Sequence, residues 1–412
     1  MHVISSLSPQ VRQYLLITAN YWAFTLTDGA LRMLVVLYFH DLGYTPLQIA
    51  MLFLFYEIFG VITNLVGGWL GARLGLNRTM NIGLALQVIA LAMLLVPTAL
   101  LTVPWVMAAQ ALSGIAKDLN KMSAKSAIKL LVPANAQGAL YKWVALLTGS
   151  KNALKGIGFF LGGALLALLG FRVAVLVMAL GLTAVWLLSL IFLKKDLGRA
   201  RAKSRFRDIF SKSRAVNVLA AARLFLFASR DVWFVVALPV FLASQFQWDH
   251  WQVGGFLALW VIGYGAVQAM APGITGAAGK QADQFPSGDS AVRWATVLAL
   301  IPALIAIALY AGFHPAISLL GGLLLFGILF AINSALHSYL IVSYAREDGV
   351  SMDVGFYYMA NAMGRLLGTV LSGWVYQAAG LQACLWISSA FLALAAALSL
   401  LLPEHHVSPD GG

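Results

Sequence analysis

Long apolar stretches separated by short polar turns dominate the chain. About 20 apolar residues are enough for an α-helix to cross the hydrocarbon core of a bilayer. Breaker residues divide the apolar sequence into twelve predicted spans. They cover residues 12–40, 47–72, 79–99, 104–130, 138–168, 172–193, 215–243, 251–273, 291–312, 315–344, 354–379 and 382–402. The pattern therefore predicts an all-α membrane protein with twelve transmembrane helices.

One polar bridge, residues 194–214, interrupts this pattern after the sixth span. It predicts an N-terminal six-helix bundle over 1–193, a basic linker over 194–214 and a C-terminal six-helix bundle over 215–412. The bridge carries nine Lys and Arg side chains. Because such residues concentrate on the cytoplasmic side of membrane proteins, we predict that the bridge and both termini are cytoplasmic. We favour this topological interpretation of the bridge over lipid recognition.

A faint internal repeat supports the division into two halves. Thr27-Asp28 in the first half is echoed by Arg230-Asp231 about two hundred residues later. Asn152 to Lys155 is likewise echoed by Asn361 to Arg365. The sequence therefore predicts two pseudo-symmetric bundles, an arrangement typical of transporters that alternate access to a central site.

Composition narrows the possible functions. The chain is 61% hydrophobic and 10% charged, which excludes an ordinary soluble domain. Its single cysteine, Cys384, excludes an intramolecular disulfide framework and a thiolate cage. The net charge of +12 does not indicate nucleic-acid binding, because the charges lie in short loops and inside spans. We find no nucleophile–base set, metal motif or phosphate loop, so we predict neither an enzyme nor a cofactor.

Ionisable side chains inside the spans are the main functional signal. Lys117, Lys121, Lys125 and Lys129 recur at every fourth residue of the fourth span, and therefore on one helical face. Charges at membrane depth are costly and usually mark a substrate or ion pathway. Spans three, six, nine and twelve have no ionised side chain in their interiors, so we predict that these four face lipid.

The charges inside the spans are biased in sign. Nine cations accompany four carboxylates, which predicts a substrate with more than one negative charge. The candidate substrate-binding residues are Lys117, Lys121, Lys151, Asn152, Lys155, His337, Asn361 and Arg365. The candidates for proton coupling or gating salt bridges are Asp28, Arg32, Glu57, Asp118, Arg230 and Asp231, and the sequence does not choose between these two roles.

Structural explanations of the same residues remain open at this point. Lys125 and Lys129 are expected near the cytoplasmic mouth, with their ammonium groups extended towards water. Asp28 and Arg32 are four apart and could form an intrahelical pair. Lys117 and Asp118 are adjacent and are expected to face different helices. His337 could relay a proton or be a hydrogen-bonded core residue.

The loop between spans two and three resembles a family signature. Residues 67–78, GGWLGARLGLNR, are similar to the signature loop of the major facilitator superfamily. The chain has Ala72 where that family normally has Asp, and Leu76 where it has a basic residue. The resemblance implies the twelve-helix fold of this superfamily, whereas the two departures argue against its usual charge relay.

Three stretches resemble a narrower family, the bacterial organoarsenical efflux permeases known as ArsJ. They are residues 21–34, 55–60 and 114–125. The resemblance implies an exporter of 1-arseno-3-phosphoglycerate in the bacterial inner membrane. We further predict a monomer in contact with lipid, whose transport is coupled to protons or to another anion. The substrate would come from glyceraldehyde-3-phosphate dehydrogenase acting with arsenate, so that export confers arsenate resistance.

Two other hypotheses stay open. The chain could import or exchange ordinary organic phosphates or carboxylates. It could instead be an anion sensor that transports nothing and signals through the basic bridge, although the shortness of the bridge argues against this.

Overall fold

The computed structural model describes residues 9–43, 52–132, 136–193, 197, 213–248, 250–275, 286–347 and 350–403. Almost all of these residues are helical, and this part of the chain contains no strand. Beside a short 3₁₀ turn at Thr98–Leu100, the α-helices are α1 Pro9–Asp41, α2 Leu54–Leu74, α3 Leu76–Met93, α4 Val103–Leu131, α5 Gln137–Phe192, α6 Arg214–Phe234, α7 Ala237–Gln245, α8 His250–Ile274, α9 Gly288–Tyr310, α10 Pro315–Tyr344 and α11 Val350–Ser399.

Two glycines divide the longest helices into pairs. Gly170 in α5 has φ 71° and Gly380 in α11 has φ 76°, and both angles lie in the left-handed region that favours glycine. Each glycine therefore interrupts its helix between two membrane-length arms. The two turns occupy equivalent places in the two halves, in agreement with the repeat offset of about two hundred residues. With these arms counted separately, and α6 and α7 taken as one crossing, the predicted twelve-span fold is confirmed.

The seventh span is broken, although the sequence predicts it as continuous over 215–243. Helix α6 ends at Phe234 and α7 begins at Ala237. The backbone N–H groups of Val236 and Ala237 donate instead to the hydroxyl oxygen of Ser372, at 3.2 and 3.1 Å. Because backbone groups freed at membrane depth must find partners, this serine stabilises the break.

Helix boundaries otherwise follow the predicted spans closely. The tenth span, predicted over 315–344, has the bounds of α10. The third, predicted over 79–99, ends earlier, because α3 stops at Met93. The chain then tightens into i to i−3 hydrogen bonds at Leu94 and Leu95 before Pro97, whose nitrogen carries no hydrogen to donate. By length and composition, seven of the described helices, counting α5 and α11 once each, are long and apolar enough to cross a membrane.

The helices group into two compact units. Unit 1 comprises Met1–Ala136, Ser150–Ser211 and Ala345–Met359, and unit 2 comprises Gln137–Gly149, Lys212–Tyr344 and Ala360–Gly412. Most of the basic bridge lies outside the described residues, as do residues 1–8 and 404–412 near the two ends of the chain. The predicted boundaries of the two bundles, at 193 and 215, and the cytoplasmic termini therefore stay predictions.

In unit 1, glycines bring α5 against α1. A Cβ added at Gly158 would lie 2.7 Å from the carbonyl oxygen of Leu26, and one added at Gly162 would clash with the carbonyl of Ala30. The backbones can approach this closely only because both positions lack a side chain. This contact places the lysine-bearing part of α5 beside α1.

Large apolar side chains are exposed on the helices that correspond to spans six, nine and twelve. Leu180 and Ile191 lie on the second arm of α5, Leu304 lies on α9, and Trp386 lies on the second arm of α11. Exposed apolar surface of this kind is expected of helices that face lipid. Side chains on other spans, such as Phe160 and Trp374, are equally exposed, so the predicted orientation of spans three, six, nine and twelve stays a prediction.

Candidate functional site

Helix α4 carries the lysine row through the interior of unit 1. Lys121 Nζ lies 2.5 Å from Asp118 Oδ1, and Lys117 Nζ lies 3.8 Å from Asp118 Oδ2. Asp118 is almost completely buried. Lys117 and Asp118 were expected to face different helices, whereas the Asp118 carboxylate accepts a hydrogen bond from Lys121 and forms a longer ion pair with Lys117. The first two lysines of the row thus share one counter-ion.

Tyr56 of α2 connects this triad to α1. Its hydroxyl donates to both carboxylate oxygens of Asp28, each at 2.9 Å. Its ring centroid lies 3.8 Å from Lys117 Nζ and 4.7 Å from Arg32 Cζ, so one aromatic ring contacts two cations. Gly114 allows this approach, since a Cβ added there would lie 2.6 Å from the carbonyl oxygen of Tyr56.

Arg32 pairs with a different carboxylate from the one that its spacing suggests. Its Nη2 lies 2.9 Å from Glu57 Oε1 on α2, whereas Asp28 accepts hydrogen bonds from Tyr56 and from Ser113. The intrahelical Asp28–Arg32 pair is therefore replaced by an interhelical one. The contact between α1 and α2 determines that Arg32 pairs with Glu57, and this contact cannot be predicted from residue spacing along α1.

Lys125 differs from its expected place at the cytoplasmic mouth. It is only 2% exposed, and its ammonium nitrogen lies 5.3 Å from the ring centroid of Tyr358. Lys121 contacts the same ring at 4.8 Å. Lys129 is partly buried, and the carboxylates of Glu347 and Asp353 act on it electrostatically. Lys125 therefore belongs with the buried part of the row, a role that the sequence analysis missed.

The predicted ligands of α5 lie in the same unit as this row. Lys151, Asn152 and Lys155 are each partly buried, and the Lys155 ammonium lies 5.6 Å from the ring centroid of Phe159. Gly29 of α1 packs against the backbone of Lys155. The expectation that these lysines face Lys117 across α4 and α5 stays a prediction.

A second ionic triad occupies unit 2. Arg230 Nη2 lies 2.5 Å from Asp231 Oδ1, and Arg365 Nε lies 3.5 Å from Asp231 Oδ2. The guanidinium of Arg230 also lies within 6 Å of the ring centroids of Phe227, Phe234 and Phe330. Arg365, expected as an anion clamp, therefore has a carboxylate partner within the protein.

Asn361 and His337 lie with Arg223, which the sequence analysis had not selected as a ligand. Arg223 Nε donates to Asn361 Oδ1 at 2.8 Å, and Nη1 donates to the Ser334 carbonyl oxygen at 3.3 Å. His337 is fully buried and lies within electrostatic range of Arg223. A charge at membrane depth is itself a functional signal, so the position of Arg223 within a span could have identified it.

Positive charge is in excess inside the predicted spans of both units. In the spans of unit 1, Arg32 and five lysines accompany three carboxylates, and in those of unit 2 three arginines accompany Asp231. Within the described ranges, no group of His, Cys, Asp and Glu side chains could hold a metal ion. Such an interior can bind an oxyanion through charge-assisted hydrogen bonds.

Comparison with known proteins gives one family match and several structural matches. The family model described as Major Facilitator Superfamily matches residues 17–352. No curated protein matches the sequence closely enough to count as a relative.

The structural matches are to solved transporters. The human organic anion transporter MFSD10 has a TM-score of 0.74 at 20% identity, over 95% of this chain and 100% of the other. A bacterial homologue of the iron transporter ferroportin, in an outward-facing state, has a TM-score of 0.75 at 16% identity, over 96% and 99%. The proton:xylose symporter XylE has 0.74 at 14%, over 94% and 95%. At these identities the likeness establishes the fold.

Proposed function

Because the chain belongs to the major facilitator superfamily, whose members are multi-pass secondary transporters, we propose that it exports an anionic organoarsenical by alternating access. The proposed substrate is 1-arseno-3-phosphoglycerate, and the proposed location is the bacterial inner membrane with both termini in the cytoplasm. The observation that carries the proposal is the excess of cations over carboxylates inside the spans of both units. A phosphate, an arsenate ester and a hydroxylated carbon chain offer oxygen acceptors that such cations can bind.

The chemistry of arsenic favours a pentavalent oxyanion. Trivalent arsenic is a soft centre that binds several thiolates, whereas this chain has only Cys384, which is buried. A pentavalent arsenate ester presents oxygen atoms, as phosphate does, and suits lysine and arginine. The resemblance of residues 114–125 to organoarsenical efflux permeases selects arsenic among the possible oxyanions.

In this proposal, the substrate is made by glyceraldehyde-3-phosphate dehydrogenase acting with arsenate. Lys117, Lys121, Lys151 and Lys155 bind the anion in unit 1. Asp28, Arg32, Glu57, Asp118, Arg230 and Asp231 then form the salt bridges that change during gating or proton coupling, in exchange for protons or another anion.

A mutational test uses arsenate resistance in cells that also express the dehydrogenase. We expect Lys151→Gln or Lys155→Gln to abolish resistance while the protein still reaches the membrane, because each removes one charge inside a span. Lys142→Gln, at an exposed position on the same helix, is the matched control and should retain resistance. Full resistance in the Lys151 and Lys155 variants would contradict the site assignment.

The second candidate function is transport of ordinary organic phosphates or carboxylates. The similarity in fold to a human organic anion transporter favours it, as does a donor set that binds phosphate as readily as arsenate. Uptake into inverted vesicles separates the two functions. The arsenical proposal predicts faster uptake of the arseno-ester than of 3-phosphoglycerate, and the reverse order would favour the second candidate.

A further inference from the structure

Three segments of unit 2 fix the guanidinium of Arg223. Asn361 on α11 accepts from Nε at 2.8 Å, and the Ser334 carbonyl oxygen on α10 accepts from Nη1 at 3.3 Å. The ring centroid of Phe227, one turn further along α6, lies 4.0 Å from Cζ. Arg223 is 2% exposed. These contacts hold a buried cation in one orientation, whether or not a substrate is present.

Several polar atoms beside this guanidinium have no protein partner. Neither ring nitrogen of His337 has a hydrogen-bond partner among the described residues, and His337 is wholly buried. The hydroxyls of Ser334 and Ser338, three residues before and one after it on α10, also have none in the described part of the chain. Buried polar groups are almost always satisfied, so these atoms are available to hydrogen-bond a bound molecule.

The hydrogen-bond donors on these side chains determine which class of molecule they can bind. The oxygen of Asn361 is already occupied by Arg223, which leaves its NH₂ group to donate elsewhere. The serine hydroxyls and one imidazole nitrogen can donate too. We infer that Arg223, with His337, Ser334, Ser338 and Asn361, forms an oxyanion pocket that takes a carboxylate or phosphoryl group.

This pocket changes the role of one predicted residue. Arg365 was expected to clamp the anion, but its Nε lies 3.5 Å from Asp231, whose charge it helps to neutralise. Arg223 instead contacts an amide, a backbone carbonyl and a phenyl ring. In this inference Arg223, and not Arg365, is the anion-binding arginine of unit 2. The inference rests on the proposed function only for the identity of the physiological anion.

The test is anion binding by the purified full-length chain in lipid nanodiscs. The probes are inorganic phosphate, sulfate and 3-phosphoglycerate, each titrated calorimetrically. Arg223→Gln should weaken the tightest of the three by about 10- to 100-fold, as expected for the loss of a charged hydrogen-bond donor. Arg223→Lys should lose part of this affinity, because an ammonium lacks the planar fork. Arg293→Gln, at an exposed position in unit 2, is the control and should bind as the wild type does.

A second variant covers the case in which Arg223→Gln does not fold. Ser334→Ala with Ser338→Ala removes two hydroxyls that make no protein hydrogen bond in the described chain, so the fold should persist while affinity falls several-fold. Wild-type affinity in this double variant and in a folded Arg223→Gln protein would overturn the inference. So would a wild-type protein that binds none of the three probes.

The outcomes for the pocket and for the transport proposal are distinguishable. If Arg223-dependent binding is found but no phosphorylated anion crosses the vesicle membrane, the pocket stands and the proposed function falls. If the arseno-ester is transported and Arg223→Gln leaves both its binding and its transport unchanged, the proposed function stands and the pocket falls.

Discussion

Tyr56 allows the buried charges of unit 1 to be tested one contact at a time. Its hydroxyl donates to Asp28, and its ring contacts the cations of Lys117 and Arg32. Tyr56→Phe removes the hydroxyl and keeps the ring, whereas Tyr56→Leu removes both. The two variants therefore separate support of the Asp28 carboxylate from positioning of the cations.

The type and exposure of each contact determine how much free energy each variant should lose. A hydrogen bond to a charged group contributes about 1.5–3 kcal/mol, so Tyr56→Phe should lower the free energy of unfolding by about that amount. A cation–π contact contributes about 0.5–1 kcal/mol at exposed sites and about 2 kcal/mol when desolvated. The side chains of Lys117 and Arg32 are 19% and 25% exposed, which places each contact near 1 kcal/mol. Loss of the Lys117 contact should raise KM about fivefold in Tyr56→Leu but not in Tyr56→Phe.

The assay is uptake of 3-phosphoglycerate and of the arseno-ester into inverted vesicles, with thermal unfolding of the purified variants measured in parallel. Tyr38→Phe is the matched control, because among the described residues its hydroxyl makes one long contact, to Thr98 at 3.5 Å. It should leave KM and Tm nearly unchanged. Equal KM values for Tyr56→Leu and Tyr56→Phe would show that the ring does not position Lys117. A Tyr56→Phe protein as stable as the wild type would refute the argument about Asp28.

Two further predictions concern the fold that supports the site. Ser372→Ala leaves two N–H groups at the α6–α7 break without their acceptor, so Tm should fall by the equivalent of about 1–3 kcal/mol. The control, Ser389→Ala, removes one donor to a carbonyl oxygen and should lower Tm less. Equal losses in the two variants would contradict the role given to Ser372. Gly158→Val should prevent folding, because its Cβ would lie 2.7 Å from the carbonyl oxygen of Leu26, and the readout is loss of monodisperse protein in size-exclusion chromatography. The control, Gly163→Ala, should fold normally, because its Cβ would lie 3.6 Å from the nearest atom. A well-folded Gly158→Val protein would contradict the close packing of α1 and α5.

The helices were predictable because the bilayer imposes a length and a composition on each span. The bounds of α10 and of α4 follow from apolar runs that end at polar or breaker residues, and both agree with prediction within a residue. The break between α6 and α7 was not predictable in this way. It depends on the hydroxyl of Ser372, which is more than a hundred residues away in sequence. Such a long-range contact cannot be predicted from the local apolar pattern.

The charged residues inside the spans were predictable as a set, but their partners were not. The cost of charge at membrane depth selected Lys117, Asp118, Arg32 and Glu57 as candidates from sequence alone. Spacing along one helix then suggested an Asp28–Arg32 pair, whereas packing of α2 on α1 brings Glu57 to Arg32. Tyr56 was missed because an aromatic residue in a span is usually apolar packing, and only the structure places its hydroxyl on Asp28.

The two triads explain how a protein can keep excess positive charge in its interior. Asp118 is shared by Lys117 and Lys121, and Asp231 is shared by Arg230 and Arg365. A lone buried cation is strongly unfavourable, whereas a fully matched pair would present no net charge to a substrate. Two cations on one carboxylate avoid both problems, because each has a partner and the group still carries one positive charge. In the proposed function, an arriving anion replaces part of an existing interaction in each triad.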